Sequence, residues 1–147
     1  MEAGTSINPD DNVFAAFSLC LMGYKDIIRM IKEFPVQCEI VLWLNSLQPE
    51  VLFCASAGGM RTSIGVAKKM KRAGYKRGFP DIFIYEPRGK YHGLALEVKF
   101  QGTTQVEQKD WKAKLEARSY KAIIMPNNLD FQEAIEWAKR EIGDYLK

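Results

Sequence analysis

The sequence predicts an α/β fold, a mixed four-stranded sheet flanked by helices on both faces, and three observations carry that expectation. Segments with apolar residues at helical spacing are interspersed with four short runs that read as strands. Two of these runs, DIFIYE and GLALEVK, are joined by PRGKYH, whose Pro and Gly suit a hairpin connection. The other two runs are reached through helices, and that order implies a mixed sheet covered on both sides.

Along the chain, residues 1–10 read as frayed, and Asp10, Asp11 and Asn12 offer caps for a helix over 13–22 that stops at Gly23. Ile27, Ile28, Ile31 and Phe34 mark a second helix, which Pro35 is expected to kink or restart. Ile40, Trp43, Leu44 and Leu47 then form one apolar stripe over 36–47. VLFCA at 51–55 is a short strand, followed by the turn SAGG and a helix over about 61–73 that ends at Gly74. After the hairpin come a helix over about 104–118, a strand at 120–125 and a last helix from Asp130 to about 146. That helix carries Phe131, Ala134, Ile135, Ala138 and Ile142 on one stripe. No repeat or low-complexity tract divides the chain, so 1–147 reads as a single domain.

Composition narrows the chemistry. With 47% hydrophobic and 27% charged residues the chain reads as globular. Its longest apolar stretch, VFAAFSLCLM, is half the roughly 20 residues a membrane span needs and begins too deep for a signal peptide, so an intracellular protein with no membrane partner is expected. Cys20, Cys38 and Cys54 contain no CxxC pair, which disfavours structural zinc and a disulfide framework and leaves buried free thiols. The lone His92 argues against Ser-His-Asp chemistry and against a histidine-built metal site. Any metal would have to be held by oxygen.

Charge is distributed unevenly although the net value is only +3. Lys68, Lys69, Lys71, Arg72, Lys76 and Arg77 fall within ten residues that hold no acid. Such a run is either a solvated helix face or a contact for a phosphate backbone. Just before it, SAGGMRTS sets glycine-rich backbone ahead of a helix start with Arg61 and Thr62, which suits an anion cradle or a plain turn into the helix.

The hairpin concentrates the remaining charges. A loop centred on Gly89 places Asp81 opposite Glu97, Phe83 opposite Ala95 and Tyr85 opposite Gly93. Opposed Cβ atoms in an antiparallel pair lie roughly 4.5–5.5 Å apart. Alternation then puts Lys99 on the face of Glu97, while Ile82, Ile84, Leu94, Leu96 and Val98 share the other. Two half-buried carboxylates this close need positive charge between them. Lys99 supplies part of it in a purely structural strand salt bridge. A divalent cation held by oxygen, with the Val98 carbonyl as a further ligand, supplies more and would act on a phosphodiester.

PD at 80–81 and ExK at 97–99, joined by a hairpin, resemble the PD-(D/E)xK nuclease superfamily. More narrowly, EFPVQ, the WL at 43–44, GGMR, AKKMKRAG, GFPDIFI, PRGKYHGLALEVK, VEQKDW and the YL near the end resemble the VRR-NUC (virus-type replication-repair nuclease) family, from about Glu33 to Leu146. Members occur in phages, bacteria and large viruses, so such an origin is expected here, with residues 1–32 as a family-variable N-terminal helical extension.

The resemblance implies a restriction-endonuclease-like fold and a structure-specific DNA endonuclease that uses Mg2+, or Mn2+ in its place, to cut branched DNA such as Holliday junctions or flaps. It implies a homodimer and no small-molecule cofactor. Carried over residue by residue, the metal ligands fall on Asp81 and Glu97, the catalytic lysine on Lys99, the helix glutamine on Gln108 and the helix glutamate on Glu33. Pro35 inside the Glu33–Gln37 turn leaves Glu39 as a rival for the last role. Gln108 shares a helical face with Trp111 and Leu115, which would aim its amide at the strand ends. Ser119 stands where the family usually shows a glycine, and Tyr91 and His92 either brace the hairpin or touch nucleic acid. Beside such a site, Arg61 and the run from Lys68 to Arg77 become candidate nucleic-acid contacts. A non-catalytic branched-DNA-binding module and an RNA-directed nuclease stay open as alternatives.

Overall fold

The computed structural model describes residues 24–56, 63–100 and 104–147, with the side chains of 24–32 left out. The expected helix at 13–22, Cys20, and the turn with Arg61 and Thr62 lie outside the described residues.

Helix α1 spans Tyr24–Ser46 and contains Pro35 without being broken by it. Sequence reading places a kink or restart there, because proline removes one N–H and crowds the preceding turn at about 3 kcal/mol. Val36, Ile40 and Leu44, one turn apart, are almost wholly buried. At roughly 1.5–3 kcal/mol each, three such side chains outweigh the proline.

Strand β1 spans Phe53–Ala55, helix α2 Ile64–Arg72, β2 Ile82–Ile84 and β3 Leu94–Glu97. Helix α3 spans Val106–Glu116, β4 Lys121–Ile124 and α4 Phe131–Leu146. The four strands form one sheet in the order β1-β2-β3-β4. β2 pairs antiparallel with both β1 and β3, and β4 runs parallel to β3 after the α3 crossover. The mixed sheet is the expected one. The hairpin register is also as read: Ile82 opposes Leu96, Phe83 opposes Ala95 and Ile84 opposes Leu94.

Period two divides the hairpin between two cores. Ile82, Ile84, Leu94, Leu96 and Val98 pack with Val36, Ile40 and Leu44 of α1 and with Ala134, Ile135, Ala138 and Ile142 of α4. On the opposite face Phe83, Ala95 and Ala122 meet Leu115 of α3, with Phe79, Trp111 and Tyr120 half-buried around them. Helices therefore cover both faces.

α2 begins at Ser63, whose hydroxyl accepts from the Val66 N–H (3.3 Å), and no residue of this helix is buried. It starts at Ile64 rather than near 61, and Gly74 beyond its end takes a φ of 96°. α4 opens with a capping box between Asp130 and Glu133. Its buried stripe includes Tyr145 and omits Phe131, which stands at the first turn, 43% exposed. Cys54 is exposed and not buried as expected, because it lies on an edge strand that only β2 covers. Among the described residues no helix is long and apolar enough to cross a membrane.

Candidate active site

β3 ends in a group of charged side chains that the apolar face of the sheet does not cover. Asp81 sits one residue before β2. Its carbonyl accepts from the Ser56 N–H (2.7 Å), and its Oδ2 accepts from the Val98 N–H (2.9 Å). The second bond ties the acid to the backbone just past β3. Glu97, the last residue of β3, and Lys99 alternate onto the same face, as Ala95 does before them. Both are buried, Lys99 to 1% exposure. Lys99 Nζ donates to Glu97 Oε1 at 2.9 Å and lies 4.0 Å from Glu33 Oε1.

The first turn of α3 adds Gln108. Its Oε1 accepts from the Gln105 N–H at 2.8 Å, satisfying a donor that the start of the helix leaves open. That bond commits the carbonyl end of the amide, and the NH2 end donates to Glu97 Oε1. Leu115 and Trp111, on the same helical face, pack into the second core and so aim the amide at the strand. Gly78 lets the preceding loop lie against α3: with φ at 78°, a Cβ there would stand 2.7 Å from the Glu107 Cβ.

Glu97 and Glu33 thus flank one buried lysine, and Asp81 adds a third acid close enough for its charge to act on Glu97. Burial lifts the Glu97 carboxyl to about 7, and the Asp81 charge adds to the rise. Lys99 opposes the shift and Glu33 reinforces it. The site is short of positive charge, and its donors are hard oxygens, which fits a divalent cation. Among the described residues no group of three or more His, Cys, Asp or Glu could hold a metal. A cation here would therefore rest on Asp81 and Glu97, with backbone carbonyl and water oxygens completing the shell, a division that Mg2+ accepts.

Glu33 and Glu39 are separated by burial. Glu33 lies half-buried beside Lys99, whereas Glu39 is exposed. The α1 helix holds its course through Pro35, so the glutamate before the proline still reaches the sheet end. Lys68, Lys69, Lys71 and Arg72 are exposed on α2, and Lys76 and Arg77 are exposed in the turn after it. Arg77 is engaged within the chain, donating to Gln105 Oε1 (3.2 Å) and standing 3.7 Å from Glu107. Tyr91 packs against the main core near Tyr145, with ring centroids 6.4 Å apart, and so braces the hairpin. His92 is exposed, edge-on to Tyr120.

Tyr75 was not legible as part of this region. Burial raises its hydroxyl pKa, and the charges of Asp81 and Glu97 raise it further. It follows the end of α2, where no sequence pattern relates it to the hairpin. Gln105 was missed because glutamine is not a usual helix-capping signal.

A solved structure described as a VRR_NUC domain protein is similar to this chain, with 25% sequence identity and a TM-score of 0.61 over 78% of this chain and 88% of the other. No family model and no curated protein matches the sequence.

Proposed function

The chain belongs to the VRR-NUC family, and from that premise we propose that it is a divalent-metal-dependent, structure-specific DNA endonuclease of the PD-(D/E)xK type. Its substrate in this reading is branched DNA, a Holliday junction or a flap. The observation that carries the reading is the gathering of Asp81, Glu97 and Lys99 at the end of β3, with Gln108 bonded to Glu97 from α3.

In this reading Asp81, Glu97 and the Val98 carbonyl hold Mg2+, or Mn2+ in its place. When bound, the cation polarises the scissile phosphate and makes a water more acidic. The residues of the chain do the positioning. The Val98 N–H fixes Asp81 through Oδ2, and Lys99 and Gln108 both bond Glu97 Oε1, which restrains the carboxylate from two sides. Lys99, buried beside Glu97 and Glu33, orients the attacking water or stabilises charge that develops on the phosphate. Glu33 contributes an outer acid beside Lys99. Phosphates are drawn to the exposed run from Lys68 to Lys76, with Arg61 and Arg77 as further contacts. Cutting both strands of a branch takes two such sites, which makes a homodimer the working assembly.

The test is cleavage of junction, flap, splayed and linear duplex DNA by purified protein with Mg2+ or Mn2+. Asp81→Asn, which can still accept the Val98 N–H, and Lys99→Ala are each expected to lose at least about 100-fold in cleavage while still binding DNA. Variants that stay folded and cut like the parent would refute the assignment.

A further inference from the structure

Between the turn after α2 and helix α3 lies a cavity of about 400 Å3, lined among the described residues by Ser56, Gly74, Tyr75, Lys76, Phe79 and Trp111. Its wall is mostly apolar, and its volume falls in the roughly 300–1,000 Å3 range of small-molecule clefts. The aromatic side chains are held in place. Trp111 Nε1 donates to the Arg77 carbonyl (3.1 Å), and its ring meets Phe79 edge-on at 87°, with centroids 5.1 Å apart. Phe79 in turn stacks on Phe83 of the sheet.

One hydrogen bond and one electrostatic influence relate this cavity to the charged site. Ser56, on its wall, donates its N–H to the carbonyl of Asp81 (2.7 Å), and Tyr75 stands in the field of Asp81 and Glu97. Lys76 and Trp111 also line a second cavity of about 320 Å3, whose other walls are Lys114, Leu115 and Arg118. Lys114 is paired with Asp110, and Arg118 donates to the Lys114 carbonyl at 2.8 Å. The apolar cavity thus has the acidic site on one side and a basic groove on the other.

We propose that this cavity receives an unpaired nucleobase adjoining the phosphate that is cut, with the strand continuing along Lys76, Lys114 and Arg118; the proposal rests on the nuclease reading above. A base offers a flat apolar face for aromatic rings and a phosphate for the neighbouring cations, so one ligand satisfies both surfaces. A base within intact duplex is stacked and paired and cannot enter. Admission is therefore limited to DNA that already presents an unstacked base, as a junction or flap does, and this would supply structure preference without a separate recognition domain.

Binding of a labelled splayed duplex, measured with Ca2+ in place of Mg2+, tests the inference. The unpaired arms carry either natural nucleotides or abasic residues with the same number of phosphates. The parent protein is expected to bind abasic arms roughly tenfold more weakly, within the range that base stacking on an aromatic side chain confers. Trp111→Ala and Tyr75→Ala should each reduce or remove that difference, and Tyr75 is peripheral enough to the core to serve if Trp111→Ala fails to fold. Equal binding of both arms by the parent overturns the proposal, as does full discrimination in a folded Trp111→Ala and in Tyr75→Ala. Cleavage of the natural arms with Mg2+ reports separately on the nuclease reading. Cutting without base discrimination removes the cavity's role and keeps the nuclease, and discrimination without cutting does the reverse.

Discussion

Ser119 is the one non-glycine residue, among those described, with a left-handed backbone, φ 59°. It closes the end of α3, where the Tyr120 N–H returns to the Leu115 carbonyl at 3.0 Å. The left-handed region costs an L-residue roughly 1–2 kcal/mol, while glycine costs roughly 0.5–1 kcal/mol in unfolded-state entropy. Ser119→Gly is therefore expected to stabilise the protein by up to about 1 kcal/mol, read as a higher urea midpoint at unchanged slope. Glu97 sets a second expectation. Its folded-state pKa lies at about 7 against an ordinary 4.5, so the folded protein holds this proton more tightly than the unfolded chain does. Stability from that proton is complete below pH 4.5 and is lost as pH rises through about 7. Denaturation in chelator should show the loss between about pH 4.5 and 7, and Glu97→Gln should flatten it. The acids and the lysine were legible one by one because the hairpin alternation left no other face for them. Gln105 and Tyr75 were not, since each matters through a contact between elements distant in sequence.

The elements fold where their apolar periodicity directs, and the exceptions are informative. α1 runs through Pro35 because its buried stripe packs on α4, a partner about a hundred residues away that local propensity does not register. Ile40 lies at the centre of that stripe and is fully buried. Ile40→Ala is expected to cost about 2–5 kcal/mol, measured by chemical denaturation, and also to loosen the end of α1 that brings Glu33 to Lys99. α2 is the opposite case, a helix with no buried residue, capped by Ser63 and ending beside Gly74. With no side chain of the helix buried, its basic residues are left to solvent.

Across the whole molecule, charge is separated in space more than in sum. The net charge is only +3, yet Asp81, Glu97 and Glu33 lie at the end of β3 while the lysines and arginine of α2 are exposed to solvent. Neutralising phosphates with such cations releases counterions, which makes binding fall with salt. The double variant Lys69→Ala with Arg72→Ala is expected to lower the steepness of log affinity against log salt by roughly 1.4–1.8, a contribution of about 0.7–0.9 per lost phosphate contact. Titration of DNA between about 50 and 200 mM salt measures it. An unchanged slope would make the run a solvated face and nothing more.

By itself the sequence determined the strand and helix order, the hairpin register, and with it the face shared by Asp81, Glu97 and Lys99. These follow from local alternation and turn chemistry, which act over a few residues and are written in residue type. Only the tertiary structure decided that Glu33 and not Glu39 stands beside Lys99, that Gln108 is oriented by the Gln105 N–H, and that Tyr75, Phe79 and Trp111 line one open cleft that a Ser56–Asp81 hydrogen bond ties to the acids. Each of these joins side chains from separate elements. Their distances depend on how helices seat on the sheet, and no spacing along the chain encodes that.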